Sequence, residues 1–457
     1  MTMETIEKDL LPDEKLTAFY EANNQVILSA SSDVLNHHRT KALENFRKLG
    51  LPKYRSEDYK YLDVPALFRK EYTNYITPGR IEFQIDDIFR CDVPALDTHY
   101  AILLNGFYHD HGGSLLELSN GVIVGSLLEA SRRYPELVAR HYNRYAGLKE
   151  EGLVSLNTLF ARDGIFVYVP ANTTPDKPIQ LINIQMHEIP LLLQYRNLII
   201  LEENSTAEII VCDHTLSPQP FLSNAVTEIY AGAGARLNYT KMQNQHNASA
   251  LINHRYIYQE RESHVNSTAV TLHGGIVRNN LFVRMAGEGG TNISSGLFLT
   301  DQGQHVDNFT WVEHAAPHCE SRQFFKGILD DFSSGAFSGR IVVKPGAQKT
   351  NAYQKNNNLL LTNDARMNTR PQLEIYADDV KCSHGATVGQ LDKDAMFYLR
   401  SRGIGYEEAR FLLMFAFANE VLANIPVVPL RARIADLVNK RLRRELSPCN
   451  SCPMHCC

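Results

Sequence analysis

Apolar positions early in the chain recur at helical spacing. Leu10, Leu11, Leu16, Phe19 and Tyr20 form one such set; Leu35, Ala42, Leu43, Phe46 and Leu49 predict a second helix, which Gly50 and Pro52 end. Ser126–Leu148 is amphipathic again, through Leu127, Leu128, Tyr134, Leu137, Val138, Tyr142 and Tyr145. Near residue 160 the texture changes to short runs rich in β-branched and aromatic residues. They include Ile165–Val169, Ile179–Ile184, Leu198–Leu201, Ala207–Cys212, Ala225–Tyr230 and Leu237–Met242, then Leu251–Tyr258, Ser267–Leu272, Asn279–Met285, Thr291–Leu299, Gly335–Val343, Asn358–Thr362 and Pro371–Tyr376. Polar turns separate them at 202–205, 231–234, 260–263, 287–290 and 362–365. With no helical pattern between these strands, a βαβ sheet is excluded, leaving a sandwich, a barrel or a β-solenoid. Turns recur at roughly two to three dozen residues, a spacing that favours the solenoid.

Helical spacing returns from Asp392. Tyr406–Asn424 places Ala409, Leu412, Leu413, Phe417 and Val421 on one stripe, and Leu430–Leu446 is apolar through Ile434, Leu437, Val438 and Leu442. The chain therefore divides into a mainly helical region, 1–155, a β core, 156–391, a helical region, 392–448, and a cysteine-rich tail, 449–457.

Composition narrows the function. At 457 residues, with 46 basic and 51 acidic side chains and a net charge of −5, the chain is too balanced to bind nucleic acid along its whole length. Arg431, Arg433, Lys440, Arg441, Arg443 and Arg444 cluster near the end, but no aromatic residues are interleaved, so a solvated helix face is expected and no nucleic acid. No apolar run reaches about 18 residues, so no membrane association is expected. The N-terminus is acidic and lacks a secretory pattern, and the eight cysteines do not form a disulfide framework, which points to the cytoplasm.

Few motifs carry catalysis. GxxxxGK[ST], HExxH and GxSxG are absent, and the glycines at 232–234 and 287–290 lie between strands as turns, so no nucleotide is expected on this chain. Soft ligands are better represented. Cys382 and His384 sit at i and i+2, on one face of an extended strand, where they can approach one metal ion or simply pack. Spacing alone favours packing. His314, His318 and Cys319 surround Pro317 and read as a packed turn. In the tail, Cys449, Cys452, Cys456 and Cys457 with His455 offer thiolates for zinc, cuprous ion or a cluster, or form an inert reduced tail.

Three blocks carry a family resemblance. Gly50 and Pro52 followed by Arg55, Glu57, Tyr59 and Lys60 form the first, 196–211 the second, and 375–404, with Cys382-Ser383-His384-Gly385, the third. In them the chain resembles the SufB/SufD family of the SUF iron–sulfur cluster assembly scaffold. Asn357 near the position of a SufB cysteine, and Gly385 in place of a glutamate, put it on the SufD side. The resemblance implies a mainly β fold: a right-handed parallel β-helix flanked by N- and C-terminal helical domains. It further implies a non-enzymatic scaffold that pairs with a SufB-like paralogue through its last rungs and docks a SufC-like ATPase through its C-terminal helices. Homodimerisation is expected when those partners are absent. Cys382 and His384 become candidate ligands of a transient iron–sulfur cluster at the subunit interface, which reverses the reading from spacing. No role is carried over to the cysteine tail. The alternatives are a structural adaptor without metal and a β-helix carbohydrate-active enzyme. For the latter, Asp330-Asp331 and Asp378-Asp379 are poor carboxylate pairs, because adjacent strand residues face opposite ways.

Overall fold

The computed structural model describes residues 11–79, 96–110, 113–148 and 151–446. Its core is a parallel β-solenoid of about seven turns, as expected. From Ile165–Val169 onward successive strands alternate between two sheets, each pairing in parallel with the strand two places on. Ala250 pairs with Ile276 and Ser334 with Arg366, register offsets of 26 and 32 residues, which is the spacing at which the polar turns recur.

One corner shows why these turn sequences suit the fold. Asn204, Gly234, Glu262 and Gly289 each adopt a positive φ. Asn204, Gly234 and Glu262 each donate the backbone N–H to the next turn, to the carbonyls of Ala233, Arg261 and Glu288. The stacked corner thus needs one left-handed residue per rung, a conformation that asparagine and glycine reach at least cost.

The two-residue period of the strands sorts side chains into three apolar layers. Inward residues such as Ala225, Ile229, Leu237, Leu251, Val265, Leu281 and Val312 fill the space between the sheets. On the outside of one sheet, Leu192, Leu222, Ala250 and Ile252 pack under N-terminal helices through Leu16, Tyr20, Phe46 and Phe160. On the outside of the other, Ile210, Met242, Val270, Leu272, Leu297 and Leu299 pack under C-terminal helices through Phe411, Met414, Ala418, Ile434 and Leu437. Burial on both faces explains why early stretches such as Ile165–Val169 and Leu198–Leu201 are unbroken apolar runs, while later strands such as Ala250–Gln259 bury polar side chains as well.

The structure departs from the sequence reading in four places. His99–Leu104, Leu115–Glu117 and Ile123–Ser126, inside the region read as helical, are strands that join the two sheets. Ser126–Leu148 is broken at Pro135 into Leu127–Arg133 and Pro135–His141, because the proline can open a helix but not continue one. In the helix Tyr406–Leu422 the buried stripe is Ala409, Phe411, Met414, Ala418 and Val421, whereas Leu412 is exposed. Arg441 is also no part of a solvated face. It is buried, donates to the Leu272 carbonyl at 2.8 Å and pairs with Asp301 at 2.5 Å, clamping the last helix, Val428–Leu442, to the solenoid. Arg443 pairs with Glu408, and Arg444 with Asp330 and Asp331.

Candidate functional site

The solenoid stops without a cap. Arg366–Ile375 and Val380–Gly389 are the terminal strands of the two sheets, and each has one hydrogen-bonded neighbour among the described residues. Most of Val380–Gly389 is exposed. Around this end lie exposed aromatic and aliphatic side chains: Tyr353, Ile375, Tyr376 and Val388, with Phe397 and Tyr398 on the adjoining helix Lys393–Ser401, none of whose residues is buried.

Cys382 and His384 share one face of the last strand, as their spacing predicts. Cys382 pairs in register with Ala352 and is half-buried against a cluster of Ile341, Val343, Ala347, Ala352 and Ala377. Burial pushes its thiol pKa up, with the backbone hydrogen bond at Ala352 acting the other way, so the protonated form dominates near neutral pH. His384 pairs with Gln354 and is exposed. Beneath it runs a buried polar column: Gln354 donates to Gln323 Oε1 at 3.1 Å, and that oxygen also accepts from the Thr310 hydroxyl at 2.6 Å. His384 is where this column surfaces. Gln354 went unnoticed in the sequence because its register with His384, thirty residues on, is fixed by turn lengths rather than by any local motif.

Two donors do not make a metal site. Among the described residues, no group of three or more His, Cys, Asp or Glu side chains is placed to hold an ion. Any ion at this end therefore draws its other ligands from outside the described chain. Asn357 points to the other side of the sheet, where its side-chain amide donates to Thr387 Oγ1 at 2.7 Å. The remaining candidates separate. Cys319 is buried and donates to the Gly287 carbonyl at 3.3 Å, His314 is buried against Ser321 at 2.8 Å, and His318 is exposed in the turn, so this trio is the packed turn that was expected. Asp330 is engaged by Arg410 and Arg444, and Asp379 by Lys349. Cys449, Cys452, Cys456 and Cys457 lie outside the described residues. No helix among those described is long and apolar enough to cross a membrane.

Fold and end together define a parallel β-solenoid protein whose last rung is uncapped and bears one thiol and one imidazole. Family models match along most of its length. Residues 12–181 match the SufBD protein N-terminal region, and 184–417 match the SufBD core domain of SUF-system iron–sulfur cluster assembly. The chain belongs to the SufBD family. It is 31% identical over 442 residues to an iron–sulfur cluster assembly SufBD family protein of Synechocystis, covering 94% of this chain and 95% of the relative. It is 29% identical over 403 residues to the iron–sulfur cluster assembly protein SufD of Escherichia coli, covering 88% and 91% of the two. The SufD of Bacillus subtilis is 26% identical over 329 residues, covering 71% of this chain and 74% of the relative.

Proposed function

We propose that this protein is a non-catalytic, cytoplasmic scaffold subunit of iron–sulfur cluster assembly. Its open end joins a SufB-like paralogue, its C-terminal helices dock a SufC-like ATPase, and Cys382 and His384 help hold a nascent cluster at the seam. The observation that carries this reading is the uncapped end itself: ten-residue strand edges ringed by exposed aromatics, with an incomplete donor set on the last rung. Unpaired edges favour continuation of the sheets by another chain. A second copy of this chain offers the same edges, so a homodimer is expected when the paralogue is absent.

The electrostatics suit a carrier of transient cargo. A thiol held protonated must lose its proton to bind iron, so binding is weak until the seam supplies a deprotonating environment. Two ligands from this chain and the rest from a partner leave a cluster that separates when the seam opens. Mechanical coupling is available too. Lys326 on the outer sheet face donates to the Phe417 carbonyl at 3.0 Å and pairs with Glu420 at 2.8 Å, and Arg441 clamps the last helix. Motion imposed on these helices by an ATPase passes into the sheet. Exposed Leu412 and Val428 give the docking surface apolar contact.

A structural adaptor without metal is the second reading, favoured by the packing of Cys382 against Ala352 and its neighbours. The test is the complex reconstituted with His384→Ala or Cys382→Ala and assayed anaerobically for iron and sulfide. Loss of cluster from a complex that still assembles supports the ligand role. Wild-type cluster yield with both variants removes it and leaves the adaptor.

A further inference from the structure

The two strands that end the solenoid are not equally covered. In Val380–Gly389, residues 383–389 are all exposed, whereas in Arg366–Ile375 residues 369–374 are all partly covered. Some of that cover comes from the N-terminal region. Glu57, on the segment 56–60, accepts through Oε1 from Arg340 Nη2 at 2.6 Å and from Arg370 Nη2 at 3.0 Å, partners 283 and 313 residues away. Arg370 also reaches the Glu57 carbonyl at 3.5 Å. Arg340 stands on the strand Ser334–Val343 and Arg370 on the terminal one, so a single carboxylate oxygen ties the last two strands of this sheet together from outside.

The segment is itself anchored. One residue on, the Asp58 carbonyl accepts from Arg278 Nη2 at 2.7 Å, and Arg278 is held by Asp307 on the neighbouring strand. Tyr59 is buried, with its ring centre 4.6 Å from the Arg278 guanidinium carbon. Its hydroxyl donates to Glu151 and accepts from Asn280 Nδ2 at 3.3 Å. From Ile276–Met285 to Arg366–Ile375 the segment thus crosses the last four strands of the sheet and stops at the edge. A strand with a neighbour on one side only frays more readily than an inner one, and a crosswise strap opposes that fraying.

We propose that 56–60 is a strap that braces the open end, with Glu57 the positioning residue that holds Arg366–Ile375 in place for an incoming strand of the paralogous partner. This role rests on the reading of that end as the joint. It gives a purpose to Glu57 and Tyr59, which belong to the first of the three blocks that carry the family resemblance. An exposed ion pair adds little to global stability, so the effect of the strap is local.

Hydrogen exchange in the full-length chain, followed by mass spectrometry, gives the test. In Glu57→Ala, backbone exchange in 366–375 is expected to quicken about fivefold, while exchange in 380–389, on the other sheet, stays as in the wild type. Arg370→Ala removes the same contact from the other side, and combining the two is expected to give less than the product of the single fold-changes. Association of Glu57→Ala with a SufB-like chain is expected to weaken about threefold. Unchanged exchange in 366–375, or exchange quickened alike in both terminal strands, overturns the bracing. Quickened exchange in 366–375 with unchanged association overturns the positioning role alone, provided that Gly385→Lys on Val380–Gly389 does weaken association. Where neither variant weakens it, the reading of this end as the joint fails and the positioning role fails with it.

Discussion

At its N-terminal end the solenoid finishes in antiparallel strands of two and three residues, Phe107–Tyr108 and Leu115–Glu117; at its C-terminal end it finishes in parallel strands of ten, Arg366–Ile375 and Val380–Gly389. Short reversed strands offer little edge for another chain to extend, a common way of keeping a sheet from pairing further. Long parallel edges do the opposite. The N-terminal rungs are also packed against helices and tied down by buried polar groups, whereas the last strand is mostly exposed. One chain thus blunts one end of the solenoid and leaves the other extendable, which is the contrast the proposed pairing rests on.

The largest effect should come from unlocking the helix-covered middle of the solenoid, away from the open end. Glu228 is fully buried and accepts from Arg196 Nε and Nη2 at 3.1 and 2.8 Å, and from the backbone N–H groups of Asn143, Tyr145 and Ala146 at 2.8 to 2.9 Å. One carboxylate thereby fastens the segment after Pro135–His141 to the sheet. Glu228→Ala strands the Arg196 guanidinium and three backbone donors, at a cost of about 3–5 kcal/mol in urea unfolding. A loss under about 1 kcal/mol would show that the carboxylate is not what fastens this segment.

The same contrast shows what the sequence could and could not convey. The apolar runs Leu198–Leu201 and Ala225–Tyr230 announced strands, and the polar turns at 202–205 and 231–234 announced the rung length, but not that helices cover the outer faces of both sheets. Three-residue strands such as Leu115–Glu117 carry too few positions to show a period, so the blunted end stayed hidden. In Tyr406–Leu422 the run from Phe411 to Ala418 is apolar all round, and periodicity could not choose between Leu412 and its buried neighbour Phe411. At the site, the shared face of Cys382 and His384 follows from their spacing. The exposure of His384 does not, because it arises from a rung that is absent rather than from a residue that is present.

Acid should loosen the sealed body next. His141, His273 and His314 are buried, and loss of hydration lowers their pKa values to about 4, about 3 and about 4, with nearby arginines adding to the effect at His141 and His273. In the unfolded chain these groups titrate near 6.5. Between about 6.5 and 4 the unfolded state therefore binds more protons, and stability falls as pH drops through that window; above it both states are neutral and nothing is lost. At pH 5 each histidine is expected to cost about 1–2 kcal/mol relative to pH 7.5, measured by urea unfolding. The change should be smaller in His314→Gln. A flat profile between these pH values would mean that the buried imidazoles are better solvated than their burial indicates.

The smallest expected change in stability belongs to the open end, and it separates the two ends most sharply. A Cβ added at Gly385 meets no atom within 4 Å, and the residue is exposed on the terminal strand beside His384. Gly385→Lys thus folds without a clash and alters stability by no more than about 0.5 kcal/mol. Yet lysine is the residue with which sheet edges commonly refuse a partner, since its charge must be desolvated before another strand can approach. Association with a SufB-like chain, or with a second copy of this one, should weaken at least about tenfold in analytical ultracentrifugation. Lys393–Ser401 and the C-terminal helices are untouched by the change, so binding of a SufC-like ATPase should persist. Undiminished association would move the joint away from Val380–Gly389, and with it the reason for placing a shared cluster at Cys382 and His384.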